Sequence, residues 1–291
     1  MSAHHPATPR RPGLVVFIGA GPGAADLITL RGARWLARAE VVLFDALTDP
    51  ALRELAPQAR WVDVGKRGFC QSAAQASIDA RLVAEAQRHA VVVRLKGGDP
   101  SVFGRLEEEL ETLAEAGIEC EVVPGVTAAL AAAADAQRPL TRRGRGRTVT
   151  LTTAMTREGA APAHARHADT EVYYMAGRQL AALGRRLAAS GWPAQTPVCV
   201  VSRAGCPDSL TSPHTLAELG RAALLHAGRP SVVTVGAGAM AIGDKSGGQA
   251  AAQPIAATGK PAAATWATTA SPMRSALAVE PLQESREVMA P

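Results

Sequence analysis

An acidic and a basic side chain each follow a strand-like segment and are of the types that exchange protons. Asp45 comes directly after the apolar run 41–44, and Lys66 comes one glycine after the run 61–64. A carboxylate and an amine that face one cleft can act as base and acid once the site shifts their pKa values. A structural ion pair is the alternative, and the spacing leaves both interpretations open.

A glycine-rich loop follows the first strand-like segment. Residues 19–23 read GAGPG, and Ala24 stands where the strict dinucleotide-binding fingerprint has a glycine. Pro22 also removes an amide donor that a phosphate would need. The loop therefore suits close backbone approach to a sulfonium-bearing amino acid conjugate better than to a pyrophosphate. A tight strand-to-helix turn is the alternative.

A second glycine-rich loop, residues 96–100, reads KGGDP. Asp99 can accept hydrogen bonds from a ligand or cap the next helix. A cap would explain Asp99 but not Gly97 and Gly98 before it, so the paired glycines favour a ligand site.

Arginine is concentrated in a short stretch near the middle of the chain. These side chains either lie in solvent along a linker or bind carboxylates or phosphates in bidentate fashion. The residues are Arg138, Arg142, Arg143, Arg145 and Arg147.

The elements that must position these residues alternate between strand-like and helix-like segments, which predicts parallel sheets with crossover helices. The first five predicted strands are residues 14–18, 41–44, 61–64, 91–95 and 119–123. An Ala-rich helix over 127–136 leads to a second unit, whose strands are predicted near 148–153, 172–175, 198–202 and 231–235. Ligands of open parallel sheets bind at the carboxyl ends of the strands, where both glycine loops fall.

This pattern predicts an α/β chain of two domains, each a mostly parallel sheet flanked by helices. The predicted limits are 13–126 for the N-terminal domain and 127–241 for the C-terminal domain. Residues 1–12 and 242–291 are predicted to be disordered tails, the second because it is rich in small and polar residues.

Composition narrows the class of partner. A net charge of +5 favours anionic partners, but only 3% of residues are aromatic, which argues against a stacking platform for nucleic acid. No apolar run approaches the roughly 20 residues that span a bilayer, and residues 1–12 lack the apolar core of a secretory signal. Scattered cysteines favour a reducing compartment. His164 and His167 lack neighbouring Cys or carboxylate clusters, so we expect no metal site.

Taken in order, these loops resemble the tetrapyrrole methylase family, and within it the uroporphyrinogen-III C-methyltransferases. The stretches that carry the resemblance are VVFIGAGPGAADLITLRGARWLARAEVVLFDAL, VGKRG, VVRLKGGDPSVFGR and VVPGVTAALAA. Weaker similarity follows at PLTRRG, VYYMAG and PSVVTVGAGAM, so that the match covers about residues 14–240.

The resemblance implies two unequal α/β domains with S-adenosylmethionine in the cleft between them, in a cytoplasmic homodimer. It implies two methyl transfers to uroporphyrinogen III, giving precorrin-2 on the way to sirohaem or cobalamin. Asp45 and Lys66 hold the positions of the proton acceptor and donor, and Arg67, Arg142 and Arg143 are expected to bind the substrate's acetate and propionate groups. The expected cofactor contacts are Pro22, Gly97, Gly98, Asp99, Val102, Thr127, Ala128, Met175 and Ala204.

The chain departs from the family pattern at several places. Leu106 and Glu107 replace the usual pair of glycines after VFGR, and Arg142 replaces the histidine of PLTHR. Ala154 and Met155 replace the Gly-His of a Thr-Gly-His loop, and Ala204 stands where glycine is usual. Because most of these changes concern the substrate side, they bear more on the substrate than on the cofactor.

Four other functions remain open at this point, one of them a non-catalytic regulatory or chelatase-type role. The chain could be a methylase acting later in corrin synthesis, or one acting on ribosomal RNA, which its basic pI of about 9.4 would suit. It could also be an NAD-dependent dehydrogenase, because Asp45 lies about 20 residues after the glycines, where such enzymes bind the ribose.

Overall fold

The computed structural model describes residues 11–65, 72–154 and 168–243. Its first sheet has five strands in the order β3-β2-β4-β1-β5, all of them parallel to their neighbours. The strands are β1 (Leu14–Gly19), β2 (Val41–Phe44), β3 (Arg60–Asp63), β4 (Val91–Lys96) and β5 (Cys120–Val123). All five strands predicted from the sequence are therefore confirmed, with ends that differ by at most one residue.

Continuous apolar runs form this sheet because both of its faces are covered by helices. Val16 and Ile18 of β1 point into one apolar cluster, while Val15 and Phe17 point into another on the opposite face. The helices are α1 (Leu30–Leu36), α2 (Ser72–Ala86) and α3 (Leu106–Glu115), with short three-ten segments at Ala25–Leu27 and Pro50–Leu55.

The second sheet also has five strands, in the order β6-β7-β10-β8-β9. They are β6 (Val149–Thr153), β7 (Thr170–Tyr174), β8 (Pro197–Ser202), β9 (Leu210–Thr215) and β10 (Ser231–Gly236). Only β6 and β7 pair in parallel, and the other three pairings are antiparallel. The expectation of a mostly parallel second sheet is therefore wrong.

Strand β9 explains part of that error. It carries Pro213 and polar residues, a pattern that does not read as a strand, but it lies at the edge of the sheet, where a proline is tolerated. Strands β8 and β9 follow one another along the chain, joined by the loop 203–209, and pair in antiparallel fashion. Thr215 and Glu218 form a capping box at the start of the three-ten segment Leu216–Arg221, which follows β9.

Helices cover both faces of the second sheet. Helix α4 (Ala128–Asp135) packs on the face that contains Val172 and Cys199. Helix α5 (Leu180–Ala189) packs on the opposite face, near the short helix α6 (Ala222–Leu225). In the described part of the chain, no helix is both long enough and apolar enough to cross a membrane.

Candidate active site

The two predicted glycine loops lie side by side at the carboxyl edge of the first sheet. Gly21 and Gly98 exchange backbone hydrogen bonds with N···O distances of 3.2 and 2.7 Å. A Cβ placed on Gly125 would lie 2.4 Å from the carbonyl oxygen of Gly98, and one on Gly19 would lie 2.5 Å from the Cα of Gly125. The ends of β1, β4 and β5 therefore approach so closely that only glycine fits.

Gly98 differs from these neighbours because its free side is open. Its φ angle of +72° lies in the left-handed region that favours glycine. The nearest atoms to a Cβ built there are Thr127 Cα and the Val126 carbonyl oxygen, both at 4.0 Å. A side chain would occupy this space, whereas glycine leaves the backbone accessible to a ligand.

Asp99 braces the loop from within. Its Oδ2 accepts a hydrogen bond from the Gly125 amide at 2.9 Å, and its Oδ1 accepts one from the Ser101 amide at 2.8 Å. The carboxylate thus links the ends of β4 and β5 and also caps the next turn. Each oxygen retains a second lone pair, so a ligand donor can still bind.

Asp45 links the next pair of strands in the same way. Its Oδ2 accepts a hydrogen bond from the Gly97 amide at 3.1 Å, and its Oδ1 accepts one from the Leu47 amide at 3.0 Å. The half-buried carboxylate therefore lies against the KGGDP loop, as the sheet topology requires. The other expected catalytic residue, Lys66, and the expected substrate ligand Arg67 lie outside the described residues.

A buried ionic cluster lies beneath this loop. Arg94 and Lys96 point from the same face of β4 to Glu109 of α3, which is fully buried. Burial lowers the pKa of Lys96, and the charge of Arg94 lowers it further, while Glu109 opposes both effects. This cluster was not predicted from the sequence, although two cations at alternate positions of an apolar strand indicate a buried charge pair.

Helix α4 and β7 meet the loop from the second sheet. The Oγ1 of Thr127 lies 2.7 Å from the hydroxyl of Tyr174, which also accepts the Ala129 amide at 3.3 Å. The ring of Phe103 lies 4.9 Å from the ring of Tyr174. Burial of Tyr174 raises the pKa of its hydroxyl, so it stays protonated and able to donate.

The remaining expected contacts of the loop and of α4 share one apolar cluster. Val102, which follows the KGGDP loop, packs there with Ala128 against Ala129 and Val172. The expected cofactor residues from the two sides are thus brought together where α4 begins.

Met175 and Ala204 follow the ends of β7 and β8. Met175 has a φ of 55° and is 47% exposed, although methionine rarely adopts a left-handed conformation. Ala204 is buried and is followed by Gly205, whose carbonyl accepts the Ala24 amide at 2.9 Å. A Cβ on Gly205 would lie 3.3 Å from the Cγ of Pro22, so the loop after β8 lies against the GAGPG loop.

Left-handed residues other than glycine gather in these loops. Phe103 and Arg105 follow the KGGDP loop, and Met175 and Arg203 follow β7 and β8, all with φ between 52° and 55°. Strained backbone of this kind is concentrated at functional sites. Sequence reasoning missed Phe103, Arg105 and Arg203, because the strain depends on how the loops pack and not on residue type.

The arginine stretch lies at the end of the second sheet where β6 and β7 begin. Arg142 donates to the carbonyl oxygens of Met240 and Ala241, and Arg143 is exposed in the adjoining turn. This turn precedes β6, which runs parallel to β7, whereas Met175 follows the end of β7. Because a five-residue strand spans about 16 Å, the turn and Met175 lie at opposite ends of these two strands.

This placement does not favour Arg142 as a ligand of substrate carboxylates, because its guanidinium donates to the segment after β10. Arg143 lies exposed in the same turn, and its role as a substrate ligand stays a prediction. Among the described residues there is also no group of three or more His, Cys, Asp or Glu that could hold a metal ion. His164 and His167 lie outside those residues.

Comparison with known proteins shows the family of the chain. Residues 14–220 match the family model of the tetrapyrrole (corrin/porphyrin) methylases. The chain belongs to this family. It is 42% identical over 231 residues to a uroporphyrinogen-III C-methyltransferase of Pseudomonas aeruginosa, covering 77% of the chain and 93% of that protein. A protein of the same description from Synechocystis is 40% identical, with 77% and 89% covered.

Solved structures show the same fold. The uroporphyrin-III C-methyltransferase of Thermus thermophilus complexed with S-adenosylhomocysteine matches with a TM-score of 0.67 and 34% identity, covering 77% of this chain and 97% of that one. A cobalt precorrin-4 methyltransferase matches with a TM-score of 0.68 and 28% identity, with 78% and 96% covered. Fold similarity therefore does not separate the two enzyme types, whereas sequence identity favours the first.

Proposed function

We propose that the chain is an S-adenosylmethionine-dependent methyltransferase that methylates ring carbons of uroporphyrinogen III, giving precorrin-2. The observation that carries this is the close packing of Gly19, Gly98 and Gly125, here called the glycine cradle, beside Asp45 at one sheet edge, in a chain 42% identical to a uroporphyrinogen-III C-methyltransferase. The product lies where the pathways to sirohaem and cobalamin divide.

The residues at this edge fit the cofactor. Gly98 leaves an open space beside its backbone, Asp99 keeps lone pairs for donors, and the exposed Met175 offers an apolar contact. Together with Gly97, Val102, Thr127, Ala128, Pro22 and Ala204, these residues would hold it. When bound, S-adenosylmethionine supplies an electrophilic methyl group on a sulfonium.

The chain's own contribution is mainly placement. Rigid alignment of two reactants can be worth on the order of 7–11 kcal/mol of the barrier. The close-packed backbones of Gly19, Gly98 and Gly125 provide that rigidity, because the strand ends cannot shift without overlapping.

Asp45 would accept the proton that the reaction releases. Methylation of a pyrrole carbon leaves a cationic ring that must lose a proton, and a carboxylate oxygen of Asp45 accepts it or stabilises the cation. The hydrogen bonds from Gly97 and Leu47 hold the carboxylate in place and leave one lone pair on each oxygen free. Lys66 is proposed as the proton donor from the resemblance alone.

An anionic substrate needs cations at this edge. Arg105 and Arg203 flank the loops after β4 and β8, and both guanidiniums form exposed ion pairs, with Glu108 and Asp208. Exposed pairs of this kind are weak, so a substrate carboxylate can compete for the guanidinium. Arg67 and Arg143 stay predictions as further substrate ligands.

Two assays test the proposal. Calorimetry compares S-adenosylhomocysteine with NAD, and we expect only the first to bind. Turnover of uroporphyrinogen III is then followed through the coloured oxidation product of the methylated macrocycle. A chain that bound S-adenosylhomocysteine but methylated a corrin precursor in preference would favour the later-pathway alternative.

The base is tested with Asp45→Asn, for which we expect kcat to fall at least about a hundredfold with little change in affinity for S-adenosylhomocysteine. Asp63→Asn is the matched control, because Asp63 ends the neighbouring strand β3 and also accepts a backbone amide, from Gly65 at 2.8 Å. Turnover by the Asp45 variant at the control's rate would refute the assignment.

The homodimer and the cytoplasmic location are proposed from the resemblance. Light scattering coupled to size exclusion tests the first, and fractionation of expressing cells tests the second.

A further inference from the structure

A chain of polar side chains is buried in the second sheet, away from the glycine cradle. His226 is fully buried, with its Nδ1 2.9 Å from Ser202 Oγ and its Nε2 2.8 Å from Ser212 Oγ. Ser212 Oγ lies 2.7 Å from His214 Nε2, and Arg229 Nε donates to Ser202 Oγ at 3.0 Å. This series of hydrogen-bonded side chains connects β8 and β9 with the segment between α6 and β10.

The neutral form of His226 satisfies every one of these contacts. A neutral imidazole has one donor and one acceptor nitrogen, and in either tautomer the two serine hydroxyls can supply the complementary roles. Burial lowers the pKa of His226, and the charges of His214 and Arg229 lower it further. The other charged groups around this cluster are Asp208, which pairs with Arg229, and Glu218, which faces His214.

The loop that follows Ser202 is the one that reaches the first sheet. Ser202 ends β8, and Arg203 follows in a left-handed conformation, with its amide bonded to the Pro230 carbonyl at 2.8 Å. Two residues later, the Gly205 carbonyl accepts the Ala24 amide of the GAGPG loop. The direction in which the chain leaves β8 therefore decides whether this loop contacts the first sheet.

We propose that His226 and Ser202 are positioning residues, which hold residues 203–205 against the GAGPG loop and so complete the cofactor side of the site. They touch neither cofactor nor substrate and act through the backbone of the loop. The effect on cofactor binding rests on the proposed function, whereas the effect on the loop itself does not.

Two variants of His226 separate its two hydrogen bonds. An asparagine places its amide near the position of Nδ1, so His226→Asn keeps the bond to Ser202 without titrating. A glutamine places its amide near Nε2, so His226→Gln keeps the bond to Ser212 and loses the bond to Ser202. Ser202→Ala removes the loop-side partner directly.

Hydrogen exchange of the unliganded full chain, followed by mass spectrometry, is the first measurement. We expect His226→Gln and Ser202→Ala to speed exchange of the amides of residues 203–206 by about tenfold, the size of one lost buried hydrogen bond. We expect His226→Asn to match the unmodified chain, and exchange in β1 to be unchanged in all three, which shows that the fold is intact.

Calorimetry with S-adenosylhomocysteine is the second measurement. Affinity should fall up to about tenfold in His226→Gln and Ser202→Ala, which have lost one hydrogen bond, and less than about twofold in His226→Asn. In the unmodified chain, the free energy of unfolding in urea should also fall as pH drops below about 6.5, because the folded imidazole resists a proton that the unfolded one accepts. His226→Asn should have lost much of that pH dependence.

Unchanged exchange at residues 203–206 in His226→Gln and Ser202→Ala would overturn the proposal, as would a His226→Asn variant that behaves like the glutamine one. If the unmodified chain bound no S-adenosylhomocysteine, the proposed function would fail, and the exchange measurement would still decide the positioning role.

Discussion

The two sheets contribute to the same site by different physical means. At the edge of the first sheet, the loops are held mainly by backbone contacts between glycines, with Asp45 and Asp99 linking neighbouring strand ends. At the second sheet, side chains make the contacts: the hydroxyl of Tyr174 meets Thr127 and the Ala129 amide, and the carboxylate of Asp135 accepts the Gly205 amide. The loops of the first sheet are thus fixed by close backbone packing, whereas those of the second sheet depend on individual hydrogen bonds.

This difference predicts that substitutions in the first sheet damage the fold, whereas those in the second mainly weaken binding. The largest effect is expected from Glu109→Gln, because the amide leaves the charges of Arg94 and Lys96 buried without a counterion. Breaking a buried ion pair in this way costs about 3–5 kcal/mol. The free energy of unfolding in urea measures the loss.

Glu107→Gln is the control, since Glu107 lies on the same helix but is exposed. Equal stability of the two variants would mean that the ionic cluster does not support the KGGDP loop.

A smaller effect is expected from an added methyl group in the cradle. Gly125→Ala places a Cβ against the backbone of Gly98 and Gly19, and overpacking of this kind costs about 1–3 kcal/mol. We expect lower stability together with weaker binding of S-adenosylhomocysteine, measured by urea unfolding and calorimetry.

Gly184→Ala is its counterpart beside the second sheet. Gly184 lies inside α5, where a Cβ would meet its nearest neighbours at 3.6 Å, an ordinary contact. The free energy of unfolding in urea should rise by about 0.5–1 kcal/mol in this variant, because alanine favours the helix. The contrast between the two regions would be wrong if both glycines tolerated alanine equally well.

Among the unfavourable changes, the smallest effect is expected from Thr127→Val, which removes one hydrogen bond to Tyr174. The free energy of S-adenosylhomocysteine binding should become less favourable by about 1 kcal/mol. The urea midpoint should change little. Thr112→Val is the control, because its hydroxyl bonds only to the exposed helix backbone at Glu108. A control that weakened binding as much would break the link between α4 and the site.

Much of the first sheet was predictable because its information is local. Its strands are unbroken apolar runs, and glycine loops follow two of them, so parallel topology alone brings Asp45 and Gly97 to one edge. The second sheet was harder to predict, because antiparallel pairings depend on turns and on an edge strand with a proline. Arg142 shows the same limit, since its charge and position suggested a ligand while its packing makes it a brace.

By itself, the sequence determined the family, the order of the first five strands along the chain and the glycine loops at their ends. Those properties follow from residue type and spacing along a short stretch of chain. The tertiary structure alone decided that Glu109 neutralises two buried cations, that Met175 and Arg203 adopt strained backbone, and that His226 is buried between Ser202 and Ser212. Each depends on residues distant in sequence, whose approach is set by packing of whole elements and not by any local pattern.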